Sequence, residues 1–427
     1  MAAKKTKKKP AKKSLRKVAV AGMIGNGLEW YDYALYGNFA PILSQLFFPN
    51  DNKYVSLLLT YGVFAAGFIM RPVGAVIFGY IGDRYGRKIS LAVSILLMAI
   101  PTSFIGLLPT YAQIGIAAPI LLTLIRLLQG AALGGEFSGS ITYIVEHSMP
   151  KNRNFAGSLS VVSLVMGMLL GSAVASLFAN ILSKEDLYSW GWRVPFIIGF
   201  FIGIIGLYIR SFLSESPEYE NAKEFNQLAD KPVSELFRNN FGGIILATGL
   251  YMAVTIPFYT LSVFMNTYLS RFLNFPLSDA LILTTIGMLV MLVIVPLSAI
   301  LADKYGNRPV LLISVVMLCL IAVPVFWLIA QGVFALALVG VIFFATVLGF
   351  YIAPIPTVLV DIFPTRVRYT GMAVACNLCA ALFGGTTPYV ATKLLQQTGD
   401  NLVIAYYIIA SALISLVAIG FMKRARA

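Results

Sequence analysis

Two acidic residues lie in the first long hydrophobic segment of the chain, where charged side chains are costly. Glu29 and Asp32 belong to the run G-N-G-L-E-W-Y-D-Y-A-L-Y-G and are three positions apart, which places them on one face of a helix. A charge inside a membrane-spanning helix destabilises it unless the charge is paired or reached by water. A carboxylate that alternates between a cationic partner and an apolar setting can bind and release a proton. We therefore expect Glu29 and Asp32 to carry protons.

Three further charges interrupt hydrophobic segments: Arg71, Arg126 and Glu136. At the rise of an α-helix, Arg71 and Glu136 reach the same depth as Glu29, roughly 15 Å from one end, whereas Arg126 lies nearer the other end. Equal depth allows an ion-paired cluster, in which the arginines tune the carboxylates or hold a carboxylate of a solute. The competing interpretation is that these charges form structural pairs. Glu136 follows two glycines that also favour close helix packing.

Aromatic side chains accompany the two carboxylates on the first segment: Trp30, Tyr33 and Tyr36. Such rings can hold a quaternary ammonium group through cation–π contacts, or they can pack against neighbouring helices. The second half of the chain carries no ionisable residue in the middle of its hydrophobic segments. We therefore expect proton chemistry in the first half, and neutral polar and aromatic contacts from the second half.

The composition indicates a membrane protein. Of the 427 residues, 59% are hydrophobic and 12% are charged, about half the charged share of a soluble domain. Twelve hydrophobic segments are each long enough to cross ~30 Å of hydrocarbon. The sequence predicts an all-α polytopic membrane protein with twelve transmembrane helices in two six-helix bundles. The predicted parts are a basic cytoplasmic tail (1–17), an N-terminal bundle (18–213), a cytoplasmic linker (214–240), a C-terminal bundle (241–422) and a short cytoplasmic tail (423–427).

Several classes of protein are excluded or disfavoured by the same composition. The net charge of +14 does not indicate nucleic-acid binding, because much of it lies in the short N-terminal tail and suits an anionic lipid surface. The three cysteines lie in apolar segments and indicate no disulfide framework. We expect no cofactor, no metal site and no enzymatic activity. The sequence contains no G-x-x-x-x-G-K-[ST] loop, which disfavours an ATP-driven pump.

One charged loop motif occurs twice. The first copy, G-Y-I-G-D-R-Y-G-R-K at 79–88, joins the second and third hydrophobic segments, and a degraded copy follows at 298–308, about half the chain length later. A second pair of similar stretches, 150–157 and 364–371, has nearly the same offset. Duplication of this kind is typical of transporters built from two related halves. The candidate functional residues of the two copies are Gly79, Gly82, Asp83, Arg84, Gly86, Arg87, Lys88, Asp303 and Arg308.

The distribution of basic residues predicts the orientation. If the twelve segments cross the membrane alternately, most Lys and Arg residues outside the segments fall on the side of the N-terminus. Because basic loops stay in the cytoplasm, we expect both termini to be cytoplasmic in a multi-pass protein of the plasma membrane, the inner membrane in a bacterium.

Three motifs together resemble the metabolite:proton symporter branch of the major facilitator superfamily: G-N-x-L-E-W-Y-D-Y-x-L-Y-G, R-P-x-G-x-x-x-F-G-x-x-G-D-R-x-G-R-K and Q-G-x-x-x-G-G-E. The resemblance covers residues 18–422. It implies that two helical bundles rock around a central site, that uptake is coupled to protons, and that the Asp83 loop closes the cytoplasmic side.

Within this branch, the stretches I-G-I-A-A-P-I-L-L (114–122) and W-G-W-R-V-P-F (190–196) are most similar to carriers of proline and betaine. Several such stretches are shared with carriers of 2-oxoglutarate, citrate and shikimate. The resemblance therefore implies symport of a proton and a small zwitterion such as proline or glycine betaine. A di- or tricarboxylate or shikimate is the alternative substrate, a transporter-like solute sensor is a remote alternative, and sodium coupling stays open. We expect the chain to act as a monomer in the lipid bilayer.

Overall fold

The computed structural model describes residues 15–212 and 214–422, and within these ranges the chain is helical without β-strands. The first half contains α1 (Leu15–Phe47), α2 (Lys53–Arg84), α3 (Arg87–Leu107), α4 (Ala117–Glu146), α5 (Arg153–Ile181) and α6 (Arg193–Ser211). The second half contains α7 (Phe241–Phe272), α8 (Leu277–Tyr305), α9 (Asn307–Ala330), α10 (Phe334–Ile362), α11 (Thr365–Thr398) and α12 (Val403–Phe421). Two short linker helices, Pro217–Glu224 and Pro232–Asn239, lie between the halves in sequence.

Eleven of the long helices in the described ranges are apolar enough for composition alone to mark them as membrane spans. The twelfth is α1, which is 33 residues long but carries Asn26, Glu29 and Asp32 in its middle. All three of these side chains are buried, so its polar face is turned inward and α1 can still cross a bilayer. The predicted all-α, twelve-helix fold class is confirmed.

The predicted tails lie outside the described residues, except for 15–17. These three residues form the start of α1, which begins at Leu15, whereas the first bundle was predicted to start at residue 18. The predicted linker at 214–240 contains the two short linker helices, which the sequence pattern did not indicate.

Corresponding pairs of helices pack together in the two halves. In the first half, α1 packs on α5, α2 on α4 and α3 on α6; in the second half, α7 packs on α11, α8 on α10 and α9 on α12. The halves meet along two edges, where α2 contacts α11 and α5 contacts α8. These edges correspond to each other under the duplication, which gives the interface an approximate twofold relation.

Glycines bring the backbones of the first half close together. A side chain at Gly74 would collide with the backbone of Ala131, and one at Gly130 would collide with the backbone of Gly67. On the other pair of helices, a side chain at Gly167 would collide with the backbone of Gly27. Small residues of this kind are what allow helices to associate closely in lipid. The close packing holds α1 and α4, which carry most of the buried charges, in fixed positions.

Candidate functional site

A narrow cavity lies between the two halves, midway along the helices. Trp30 and Arg71 line it from the first half, and Tyr251, Phe258 and Tyr259 line it from the second. Its volume, taken as the space open to the centre of a water molecule, is about 40 Å³, enough for about three waters. The helices must therefore move apart before a solute larger than a few waters can enter.

Arg71 reaches across the interface from α2. Its Nε donates a hydrogen bond to Oδ1 of Asn377 on α11 at 3.0 Å, and one terminal nitrogen lies 3.4 Å from the hydroxyl of Tyr259 on α7. The guanidinium also lies 5.4 Å from the ring centre of Phe68. No carboxylate forms an ion pair with Arg71 in the described part of the chain. Its positive charge is therefore available to a bound ligand.

Asp32 forms a buried ion pair with Arg126. The two side chains approach to 2.6 Å, and Gln129 donates to the other carboxylate oxygen at 3.1 Å. The Arg126 guanidinium lies 3.8 Å from the ring centre of Tyr36, a cation–π contact that stabilises the buried charge. The pair and these two supporting contacts come from α1 and α4.

Glu29 lies one helical turn before Asp32 and is fully buried. Neither of its carboxylate oxygens has a hydrogen-bond partner among the described residues. An ionised carboxylate in such a position is strongly disfavoured, because nothing replaces the water that it loses. The geometry therefore suits a neutral, protonated Glu29.

The predicted aromatic contacts divide into two groups. Trp30 lines the cavity and packs edge-on against Phe258 of the second half, with ring centres 5.8 Å apart. Tyr33 and Tyr36 pack behind the cavity lining, against Phe64. Of the three, Trp30 is the one positioned to touch a solute directly.

Glu136 forms an ion pair with Arg210 of α6 and accepts a hydrogen bond from Ser94 of α3. Arg210 also donates to the backbone carbonyls of Ala21 and Leu91. This cluster joins four helices of the first half and does not line the cavity. Glu29, Arg71 and Glu136 thus have three separate environments and do not form an ion-paired cluster.

The predicted gating motif lies where α2 meets α11, at the end of the molecule that carries the linker helices; we call this end the linker face. Asp83 accepts hydrogen bonds from the backbone amides of Tyr369 and Thr370 at 3.1 and 2.9 Å, and from the hydroxyl of Thr370 at 2.7 Å. A Cβ at Gly79 would lie 2.7 Å from the backbone of Thr370, and one at Gly82 would collide with the ring of Tyr369. The glycines therefore permit the approach on which the hydrogen bonds of Asp83 depend.

The second copy of the motif makes the corresponding contact on the other edge. Asp303 at the end of α8 accepts hydrogen bonds from the backbone amides of Asn154 and Phe155, at 2.8 and 2.9 Å, in the first turn of α5. Each aspartate caps a helix of the opposite half, where the helix dipole favours a negative charge. In this conformation the linker face is closed at both edges.

The other motif residues connect to the linker. Gly86 has φ +119°, a conformation that favours glycine, and it makes the turn between α2 and α3. The backbone amides of Arg87 and Lys88, at the start of α3, donate to Glu215 at 3.0 and 3.1 Å. Burial of its carboxyl raises the pKa of Glu215, and these backbone hydrogen bonds oppose that shift. The linker therefore fastens to the same turn that carries Asp83.

Arg84 pairs with Asp230 of the linker at 2.7 Å. Arg87 lies 3.3 Å from both Asp83 and Glu146, and it donates to the backbone carbonyl of Thr365 at 2.8 Å. Lys88 donates to the backbone carbonyl of Ser211. Arg308, from the second copy, has a buried Nε without a partner among the described residues.

Among the participating side chains, three that were not predicted to take part are Gln129, Glu146 and Arg210. Asn377 belongs to the neutral polar residues of the second half, which were expected to supply contacts. Gln129 was visible in the Q-G-x-x-x-G-G-E motif, and Glu146 and Arg210 lie at helix ends, where charges are common. Asn377 carries no charge and has no motif of its own, so its contact with Arg71 was accessible only through the structure.

Comparisons with known proteins agree with this architecture. The family model described as Major Facilitator Superfamily matches residues 23–388. Among solved structures, the proton:xylose symporter XylE bound to 6-bromo-6-deoxy-D-glucose is similar with a TM-score of 0.77 and 18% identity, covering 96% of this chain and 95% of that one. The human organic anion transporter MFSD10 is similar with a TM-score of 0.69 and 15% identity, covering 96% of this chain and all of that one. At these identities the similarity establishes the fold.

Relatives with known names are more similar in sequence. A "Putative proline/betaine transporter" of Staphylococcus aureus (strain COL) is 36% identical over 412 residues, covering 96% of this chain and 88% of the relative. The "Proline/betaine transporter" of Salmonella typhimurium is 34% identical, with 94% and 82% covered. The "Glycine betaine/proline/ectoine/pipecolic acid transporter OusA" of Dickeya dadantii is 34% identical, with 96% and 83% covered. The relatives are named as transporters and not as enzymes.

Proposed function

Because the chain belongs to the major facilitator superfamily, we propose that it is a symporter that imports a proton together with a small zwitterion such as proline or glycine betaine. The chain is a multi-pass membrane protein and a solute transporter. The proposal goes beyond these two statements in four respects: it names the substrate, the coupling ion, the orientation in the membrane and the residues of the site.

The observation that carries the proposal is the pairing of Arg71 with aromatic rings in one cavity. Arg71 is the charged residue of the cavity lining, and Trp30, Phe258 and Tyr259 lie around the same space. A guanidinium binds a carboxylate through two parallel hydrogen bonds, and aromatic rings attract a quaternary or secondary ammonium group. The two features together match a small molecule that carries both charges.

A di- or tricarboxylate fits this cavity less well. Such a substrate needs more than one cation at the site, and Arg126 is already neutralised by Asp32. The carboxylate of Glu29 beside the cavity would repel a polyanion whenever it is ionised. The names of the sequence relatives also favour the zwitterion.

For the coupling ion, we propose that Glu29 and Asp32 carry the proton at different steps. In the present conformation Asp32 forms an ion pair with Arg126, whereas Glu29 has no hydrogen-bond partner among the described residues and is the candidate to hold the proton. Helix movement that brings Glu29 into contact with water or a cation would release its proton, because the ionised form would then be stabilised. A carboxylate that changes its environment during the cycle can thus couple proton and solute movement.

We propose that the linker face is cytoplasmic and that both termini lie on that side, in the plasma membrane. The motif loops, the linker and most of the basic loop residues share this face, as the positive-inside rule requires. Closure by Asp83 and Asp303 then corresponds to a state that is shut toward the cytoplasm. The two bundles, 18–213 and 241–422, would move as units about this closure, and one chain would suffice because both halves of the cavity come from it.

The test is solute uptake into proteoliposomes with an imposed inside-alkaline pH gradient. Radiolabelled glycine betaine, proline, 2-oxoglutarate and citrate are compared in parallel, with a protonophore and a sodium gradient as separate arms. We expect uptake of the zwitterions that a protonophore abolishes. Uptake of 2-oxoglutarate or citrate alone would assign the protein to the carboxylate carriers. Uptake driven by a sodium gradient alone would show that the coupling ion is sodium and not the proton.

A further inference from the structure

Asn377 lies beside the cavity, where the two halves meet, and contacts Arg71. Its amide oxygen accepts the hydrogen bond from Nε of Arg71 at 3.0 Å. Its amide nitrogen donates to the backbone carbonyls of Gly134 on α4 and Ala373 on α11, both at 2.8 Å. The side chain is 2% exposed, so water does not compete for these bonds. The two donated bonds fix the amide with its oxygen toward Arg71.

Fixing Nε determines the direction of the whole guanidinium group. The guanidinium group of arginine is planar, and its donors form a rigid fork, so holding one nitrogen restricts the plane of the other two. The contact from the terminal nitrogen to Tyr259 is long, at 3.4 Å, and competes weakly with a ligand. The outer edge of Arg71 is therefore left for two parallel hydrogen bonds to a carboxylate.

The chemical type of Asn377 matters for the charge of the site. An aspartate here would form an ion pair with Arg71 and remove the positive charge that a solute carboxylate needs. An asparagine accepts the same hydrogen bond without neutralising the guanidinium. Its place on α11 is also secure, because it lies in the regular segment Arg368–Cys379, whose first turn is capped by Asp83.

We propose that Asn377 is a positioning residue for solute binding, which directs the guanidinium of Arg71 toward the solute carboxylate while preserving its charge. This inference rests on the proposed function, in which Arg71 holds that carboxylate. Asn377 itself need not touch the solute.

The test is a double-mutant cycle of Asn377→Ala and Arg71→Lys, read out as equilibrium binding of radiolabelled glycine betaine to purified protein. Lysine keeps the charge at position 71 but offers no planar edge to direct. Asn377→Ala should weaken binding about tenfold when Arg71 is present, the effect expected for one hydrogen bond to a charged group, and less than about twofold in the Arg71→Lys background. The matched control is Asn266→Ala, which removes an amide that accepts a bond from Thr284 within the second half; it should leave binding unchanged.

Equal weakening by Asn377→Ala in both backgrounds would overturn the positioning role and leave Arg71 as the anchor. The same conclusion would follow if Asn266→Ala weakened binding as much, because the effect would then be general helix packing. If Arg71→Gln, which removes the charge, bound glycine betaine as tightly as the unaltered chain, Arg71 would not be the anchor, and the proposed site would fail together with this inference. The single variant therefore separates the two failures.

Discussion

Glu29 and Asp32 lie one turn apart on α1, yet only Asp32 has an ion-pair partner in the described part of the chain. The partner, Arg126, belongs to α4, whereas the other buried charge in the middle of α4, Glu136, lies against Gly25, one turn before Glu29, and is paired with Arg210. Two acidic residues on the same helix face thus have two different environments. This difference leads to separate predictions for the two carboxylates.

Glu29→Gln should abolish proton-driven accumulation of the solute while leaving solute exchange intact. Glutamine resembles the protonated carboxyl in shape and cannot release a proton, so the cycle can run only in its protonated form. The measurement compares uptake under a pH gradient with exchange of labelled for unlabelled glycine betaine at equal concentrations. Retained accumulation in this variant would exclude Glu29 as the proton carrier.

Asp32→Asn should destabilise the protein as well as stop transport. Removing one partner of a buried ion pair leaves Arg126 uncompensated, which costs about 3–5 kcal/mol. The double variant Asp32→Asn with Arg126→Gln should recover much of the lost stability, because no unpaired charge remains. Thermal unfolding of the purified variants gives the comparison, and additive losses in the double variant would contradict the pairing.

Glu136→Gln should lower stability without changing solute affinity. Arg210 would lose its counterion in the interior of the first half, again at a cost of about 3–5 kcal/mol. The unfolding temperature and the dissociation constant for glycine betaine are measured on the same folded material. Normal stability combined with loss of proton-driven uptake would instead place Glu136 in the proton path.

Asp83→Asn should slow the transport cycle by at least about tenfold and leave solute binding within about twofold, because the hydrogen bonds it weakens join the halves far from the cavity. Asp303→Asn is the matched variant on the other edge, and we expect a smaller effect, since Asp303 accepts two hydrogen bonds across the interface and Asp83 accepts three. Uptake rates and equilibrium binding are measured for both. Complete loss of binding in Asp83→Asn would argue against a gating role.

The sequence predicted the twelve helices well because hydrophobic length is a local property that lipid enforces directly. The sequence also identified Asp83 and Asp303, because each belongs to a local motif at the end of a hydrophobic segment. The partners of the buried charges were less accessible. Equal depth placed Glu29, Arg71 and Glu136 at one level, but depth says nothing about the direction of a side chain around its helix axis. Rotation about that axis is fixed by contacts such as Gly167 against Gly27, which depend on residues distant in sequence.

The linker helices pack against the α2–α11 edge between the halves. Asp230, between the two linker helices, pairs with Arg84, and Glu235 of the second linker helix pairs with Arg366. No linker residue forms an ion pair at the α5–α8 edge in the described ranges. The α2–α11 and α5–α8 edges correspond to each other under the duplication, but the linker reinforces the first more than the second. We expect the two halves to separate first at the α5–α8 edge of the linker face, while the α2–α11 edge stays in contact and acts as the hinge.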